Sequence, residues 1–171
     1  AGMERPFFFF DPGDRFVIQD LTIATFANSH DCACPVGYSV ERSGRRMAIC
    51  TDTGIITPEA REGVRGADLL IGEFNYSVDM LRAGSYPVHL KERILGQRGH
   101  LSNEMGGALA GWAVQHGAHK VVLAHLSKEN NQVDMALEAA GQAMERIGAK
   151  VGQDVELTAA PRSQCSEWLE V

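Results

Sequence analysis

Lys120–Gly148 reads KVVLAHLSKENNQVDMALEAAGQAMERIG, and its two halves follow different periodicities. Val121 to Ala124 is an unbroken aliphatic run, too short for a helix and ended by a polar turn, which is the pattern of a strand buried on both faces. Beyond the turn the spacing becomes helical. Val133, Leu137, Ala140, Met144 and Ile147 form one apolar stripe, with Asn131 placed to cap it and Gly148 to end it. A buried strand feeding an amphipathic helix predicts an α/β domain, a mixed β-sheet covered by helices. The strand leaves the core on an imidazole, His125, and that choice of residue needs a reason.

The segments before it extend the same pattern. Asn103 to His116 predicts a helix rich in small residues, and Gly106, Gly107 and Gly111 lower its intrinsic stability, so close packing is expected to compensate. Asp68 to Gly72 reads as a buried strand. Ser77 to Ala83 and Val88 to Leu95 read as short helices separated by Gly84-Ser85-Tyr86-Pro87. Thr57 followed by Pro58 starts a helix that stops near Gly66. The first third is β-rich: Arg15 to Ile18 and Leu21 to Phe26 flank the turn Gln19-Asp20, and Gly37 to Val40 and Met47 to Cys50 flank Ser43-Gly44. Asp154 to Ala159 adds an edge strand. Residues 1–10, AGMERPFFFF, show no clean periodicity and read as a segment entered partway through a fold.

The 171 residues, 44% of them hydrophobic, suffice for one domain with a sizeable core. No apolar run reaches the roughly 18 residues of a membrane span, and Phe7 to Phe10 is too short for a secretory signal, so a cytoplasmic protein is expected. The four cysteines form no disulfide framework, and reduced thiols are expected. The net charge of −6 opposes broad nucleic-acid binding, although Lys91, Arg93 and Arg98 lie close enough in sequence to form a local basic patch.

Three positions put a metal-capable side chain where an apolar strand meets a turn: His30 after LTIATFANS, Asp52 after MAICT, and His125 after VVLA. Neighbouring strand ends in an α/β sheet share a rim, so the three can form one zinc or manganese site. Each also has an ordinary reading, a hydrogen-bonded histidine or an Asp turn. A second group is RGHLSNEM, Arg98 to Met105, in which His100, Ser102 and Asn103 precede a helix. There a phosphate oxygen or a general acid fits, and so does simple capping by Ser102 or Asn103. A third is Glu73 to Ile94, where Tyr76 or Tyr86 can stack on a base while Lys91 and Arg93 meet phosphates, unless the segment is core with a solvated face.

The succession SHDCACPVGY, ICTDTG, GEFNYSVDMLRAGSYPVHLKERILGQRGHLSN and LAHLSKENN resembles the C-terminal part of metallo-β-lactamase-fold hydrolases of the YycJ/WalJ type. The resemblance runs from about Phe7 to the end. It implies that His30, Asp52 and His125 are metal ligands, Asp52 bridging two divalent ions, and that Asp52 and His100 serve catalysis. Ser102, Asn103, Tyr76, Lys91 and Arg93 would contact substrate. The implied activity is that of a metal-dependent phosphodiesterase or exonuclease acting on DNA. Where many relatives have Glu-Ser-Asn-His-Asp, this chain has Glu73-Phe74-Asn75-Tyr76-Ser77, which removes one histidine.

The superfamily's His-x-His-x-Asp-His motif occurs nowhere in the chain. The resemblance therefore implies the C-terminal half of an αββα sandwich: a single partial domain over residues 1–171, inactive alone and holding metal partially or not at all. Its open sheet face would be hidden by a missing N-terminal segment or in a homodimer. A non-catalytic interaction module, or a hydrolase of small esters, lactones or cyclic phosphodiesters, is the competing expectation.

Overall fold

The computed structural model describes residues 9–171; the expectations drawn from residues 1–8 lie outside them. Seven strands form one sheet in sequential order, β1 (Arg15–Ile18), β2 (Leu21–Ala27), β3 (Val36–Arg42), β4 (Arg45–Cys50), β5 (Leu69–Glu73), β6 (Lys120–Ala124) and β7 (Glu156–Ala159). Strands β1 to β4 pair antiparallel through two tight hairpins. Gln19, Ser43 and Gly44 take the positive φ those turns require, at 56°, 51° and 76°. From β4 onward the pairing is parallel, because α1 (Pro58–Val64), the segment from α2 (Val78–Ala83) to α4 (Asn103–Gln115) and α5 (Val133–Arg146) supply the crossovers.

Alternation along the strands separates two faces. Phe26, Ala48, Cys50, Leu70, Val121 and Leu123 point to one side and join Ala60, Val64, Leu109, Ala113, Ala140 and Met144 of the helices in a single core. Helix α4 (Asn103–Gln115) lies against β5 and α5. Its glycines are contact points, as expected: a Cβ on Gly107 would stand 3.0 Å from the Ala143 methyl, and one on Gly106 only 2.3 Å from the Glu73 carbonyl oxygen. The opposite face carries Ile23, Tyr38, Val40, Met47, Ile49 and Ile71, each half-buried. No helix packs on this second face among the described residues. The segment after β7 folds back towards it, with Ala160 N donating to Leu123 O and Lys120 Nζ to Glu170 O.

Two details of the final helix differ from the expectation. The N-cap is Gln132, not Asn131, and it makes no side-chain cap. Asn131 sits one residue earlier, accepting from Gln132 N while its amide group faces the core. Val133 is 48% exposed, because the contact with α4 runs through Ala136, Ala140, Ala143 and Met144 instead. The edge strand β7 begins at Glu156, two residues later than expected. All four cysteines are free thiols, and burial with Glu73 nearby pushes Cys50 up to about 12, so it stays protonated.

Candidate metal centre

Topology alone brings four strand exits to one rim. Strand β2 runs in the same direction as β4, being two antiparallel steps away, and β4, β5 and β6 are mutually parallel. The residues leaving these strands, His30, Asp52, Glu73 and His125, therefore converge, and His100 reaches the same place from the loop between α3 (Val88–Leu95) and α4. Asp52 and His125 exit with φ of 56° and 57°. Left-handed backbone is uncommon outside glycine, and it turns each side chain back over the rim.

Asp52 Oδ1 lies 3.7 Å from one nitrogen of each of three imidazoles: Nε2 of His30, Nδ1 of His100 and Nδ1 of His125. Beneath it, Glu73 is completely buried. Its Oε2 accepts from Thr53 N at 2.9 Å, and its Oε1 from His100 Nδ1 at 2.7 Å and His125 Nδ1 at 2.9 Å. Burial alone would raise the Glu73 pKa. The two imidazole bonds and the Thr53 amide outweigh it and hold the carboxyl below its usual value. His125 shifts upward, chiefly through its bond to Glu73 and against its own burial.

An ionised carboxylate can only accept, so both rings carry their proton on Nδ1 and turn Nε2 outward. His30 follows the same rule with a different acceptor, its Nδ1 standing 2.9 Å from Gly99 O. A carbonyl can only accept as well. All three imidazoles are thus tied to the protein at Nδ1, as metal-ligating histidines commonly are at the ring nitrogen that does not bind the ion.

Asp52, Glu73, His100 and His125 offer ligand atoms within 4.8 Å of one another. A tetrahedral ion with bonds of ~2.1 Å separates its ligands by ~3.4 Å, close to the 3.7 Å between His30 Nε2 and Asp52 Oδ1. Imidazole and carboxylate donors suit zinc and manganese alike.

The remaining predicted site residues stand as follows. Ser102 Oγ accepts from Met105 N and caps α4. Asn103 is buried and exchanges two amide bonds, 2.9 and 2.8 Å, with Asn131, joining the His100 loop to the His125 loop. Tyr76 is 4% exposed, with its phenol pushed upward by burial and by Glu104 and Glu73. Lys91 Nζ donates to Arg82 O, and Arg93 makes a two-point pair with Asp31 beside His30. Glu73 was not among the predicted residues. Its signal was in the sequence all the same, an acid ending the apolar run Leu69-Leu70-Ile71-Gly72, as Asp52 ends its own strand.

This fold and rim define a metallo-β-lactamase-fold protein. The beta-lactamase superfamily domain matches residues 5–126, and the chain belongs to that superfamily. Within it the chain is similar to proteins of the YycJ/WalJ type. It is 34% identical over 150 residues to "Exodeoxyribonuclease YycJ" of Bacillus anthracis, covering 88% of this chain and 57% of that protein. It is 37% identical over 127 residues to "Exodeoxyribonuclease WalJ" of Streptococcus pneumoniae, covering 74% of this chain and 47% of the relative. The chain thus spans about half the length of the curated relatives it matches. The fold also matches the metallo-beta-lactamase fold protein YhfI from Bacillus subtilis, with a TM-score of 0.63 and 19% identity over 88% of this chain and 51% of that one. Zn(2+)-bound PqqB from Methylobacterium extorquens matches with a TM-score of 0.52 and 20% identity, over 88% and 48%.

Proposed function

We propose that the rim is the C-terminal part of the active centre of a metal-dependent phosphodiesterase acting on DNA as an exonuclease. The observation that carries the reading is the gathering of three imidazoles around one Asp52 oxygen, each ring fixed to the protein at Nδ1 and His30 turning its Nε2 to that oxygen. His30, Asp52 and His125 would hold the divalent ion, zinc or manganese. When bound, such an ion polarises a phosphoryl oxygen and makes water a nucleophile at neutral pH. His100, its Nδ1 proton held by Glu73, presents Nε2 to the substrate's leaving oxygen. Glu73 stays ionised and keeps both His100 and His125 in one orientation. The DNA assignment rests on the names of the relatives, and the mild acidity of the chain runs against it.

Three proposed ligands do not saturate two ions, so the domain is read as partial, weak in metal binding and nearly inactive by itself. A second sheet bearing the remaining ligands would cover the face carrying Ile23, Val40, Met47 and Ile49. A homodimer would hide the same face without completing the site. The test is incubation of the chain with zinc or manganese and a 5′-phosphorylated DNA duplex, alone and with the N-terminal half of a YycJ-type relative. Exonucleolysis is expected only with the added half. Strong turnover by the chain alone would refute the partial-site reading, and metal binding with no hydrolysis in either arm would favour an interaction module.

A further inference from the structure

His30 is held differently from the other two imidazoles. Glu73 of the sheet fixes His100 and His125, whereas the acceptor for His30 Nδ1 is Gly99 O, on the loop that follows α3. That loop grips the His30 loop at several more points. Arg98 donates Nε and Nη2 to the His30 carbonyl, both at 3.2 Å. Ser29 Oγ donates to Gln97 O at 2.9 Å. On the far side of His30, Arg93 of α3 donates Nε and Nη2 to the two oxygens of Asp31. Asp31 Oδ1 is in turn 3.4 Å from His30 Nε2.

The Gly99 carbonyl cannot drift freely. A Cβ on Gly99 would come within 2.2 Å of Ile94 O, so the loop is wound tightly onto the end of α3. Gly54, in the Asp52 loop, donates its amide to Ser29 O and passes so close to Gln97 that a Cβ would meet its carbonyl at 2.4 Å. The His30, Asp52 and Gly99 loops are therefore interlocked.

We propose that Arg93 and Arg98 form a clamp which presets His30 in the Nδ1–H tautomer with Nε2 directed at Asp52. Both arginines are then positioning residues for the candidate metal centre. The physical reason is that the proton of a neutral imidazole goes to whichever nitrogen has the better acceptor, and a metal takes the other one. Arg98 fixes where the His30 backbone lies, so the ring meets Gly99 O. Arg93 engages both oxygens of Asp31, the carboxylate 3.4 Å from Nε2, and so weakens it as a competing acceptor for the ring proton. In its metal part this rests on the reading under "Proposed function"; in its tautomer part it does not.

The test uses the full chain, ¹⁵N-labelled and stripped of metal, at about pH 8 where a free imidazole is neutral. Long-range ¹H–¹⁵N correlation of the ring is expected to show His30 in the Nδ1–H form. Arg98→Ala should give a mixture of tautomers and a roughly 10–100-fold loss of zinc affinity by chelator competition. Arg93→Ala should change both readouts in the same direction, and Arg42→Ala, in a distant hairpin, neither.

An Nε2–H form in the wild type overturns the clamp even if no variant folds. An unchanged tautomer in folded Arg98→Ala overturns it too, and a drop in DNA affinity alone would make the arginines substrate contacts. Should the wild type show the expected tautomer and bind no zinc, the clamp stands and the metal-centre reading falls.

Discussion

Asp52 takes a left-handed backbone and meets three imidazoles with one oxygen. Asn tolerates that backbone as well as Asp does, so Asp52→Asn isolates the charge. We expect at least a tenfold loss of zinc affinity by chelator competition, with the urea midpoint of the metal-free chain little changed because the side chain is half exposed. Glu73→Gln should behave differently. A neutral amide oxygen can still accept from both imidazoles, but the charge is lost, the amide NH2 then faces the Thr53 N–H donor against donor, and the group is completely buried. Urea unfolding is expected to show a loss of about 1–3 kcal/mol along with weaker zinc binding. Equal stability for both variants would refute the assigned division between an exposed ligand and a buried organiser.

At the scale of elements, the approach of α4 to β5 sets the height of Glu73 above the core. Gly106→Ala would drive a methyl into the Glu73 carbonyl, a backbone atom of a central strand that cannot move aside. A cost of about 1–3 kcal/mol in urea unfolding is expected. At the other end of the sheet, Asp68 accepts from Arg46 N at 2.8 Å and from Arg45 Nη1 at 3.1 Å, and these bonds hold its carboxyl below the usual range. A carboxyl with a depressed folded pKa adds stability above its unfolded value, near 4, and loses it as pH falls through the folded one. Asp68→Asn should therefore lower stability at neutral pH and flatten the decline in acid, as read from melting temperature against pH. A parallel displacement of the two curves would contradict this. The element boundaries were largely legible because caps, hairpin turns and strand lengths are local. The Asn131 cap was misplaced by one residue, since the core recruited its amide for Phe74 O and Asn103.

For the whole molecule, the consequence of one-sided helix packing is a second face lined by Ile23, Tyr38, Val40, Met47, Ile49 and Ile71. Apolar patches of this kind drive association when nothing else covers them. Sedimentation equilibrium is expected to give a dimer, with Met47→Lys shifting it to monomer. A wild-type monomer would count against the homodimer.

The sequence by itself determined the strands and helices, their order, and three residues at the ends of apolar runs, because periodicity and turn chemistry act over a few neighbouring residues. Only the tertiary structure decided that Glu73 sits under Asp52, that each imidazole is tied at Nδ1, and that Asn103 and Tyr76 lie buried. Those facts depend on which strands run in the same direction and which loops meet at their ends. That pairing joins residues far apart in the chain, 69 positions in the case of His30 and Gly99, and no local pattern records it.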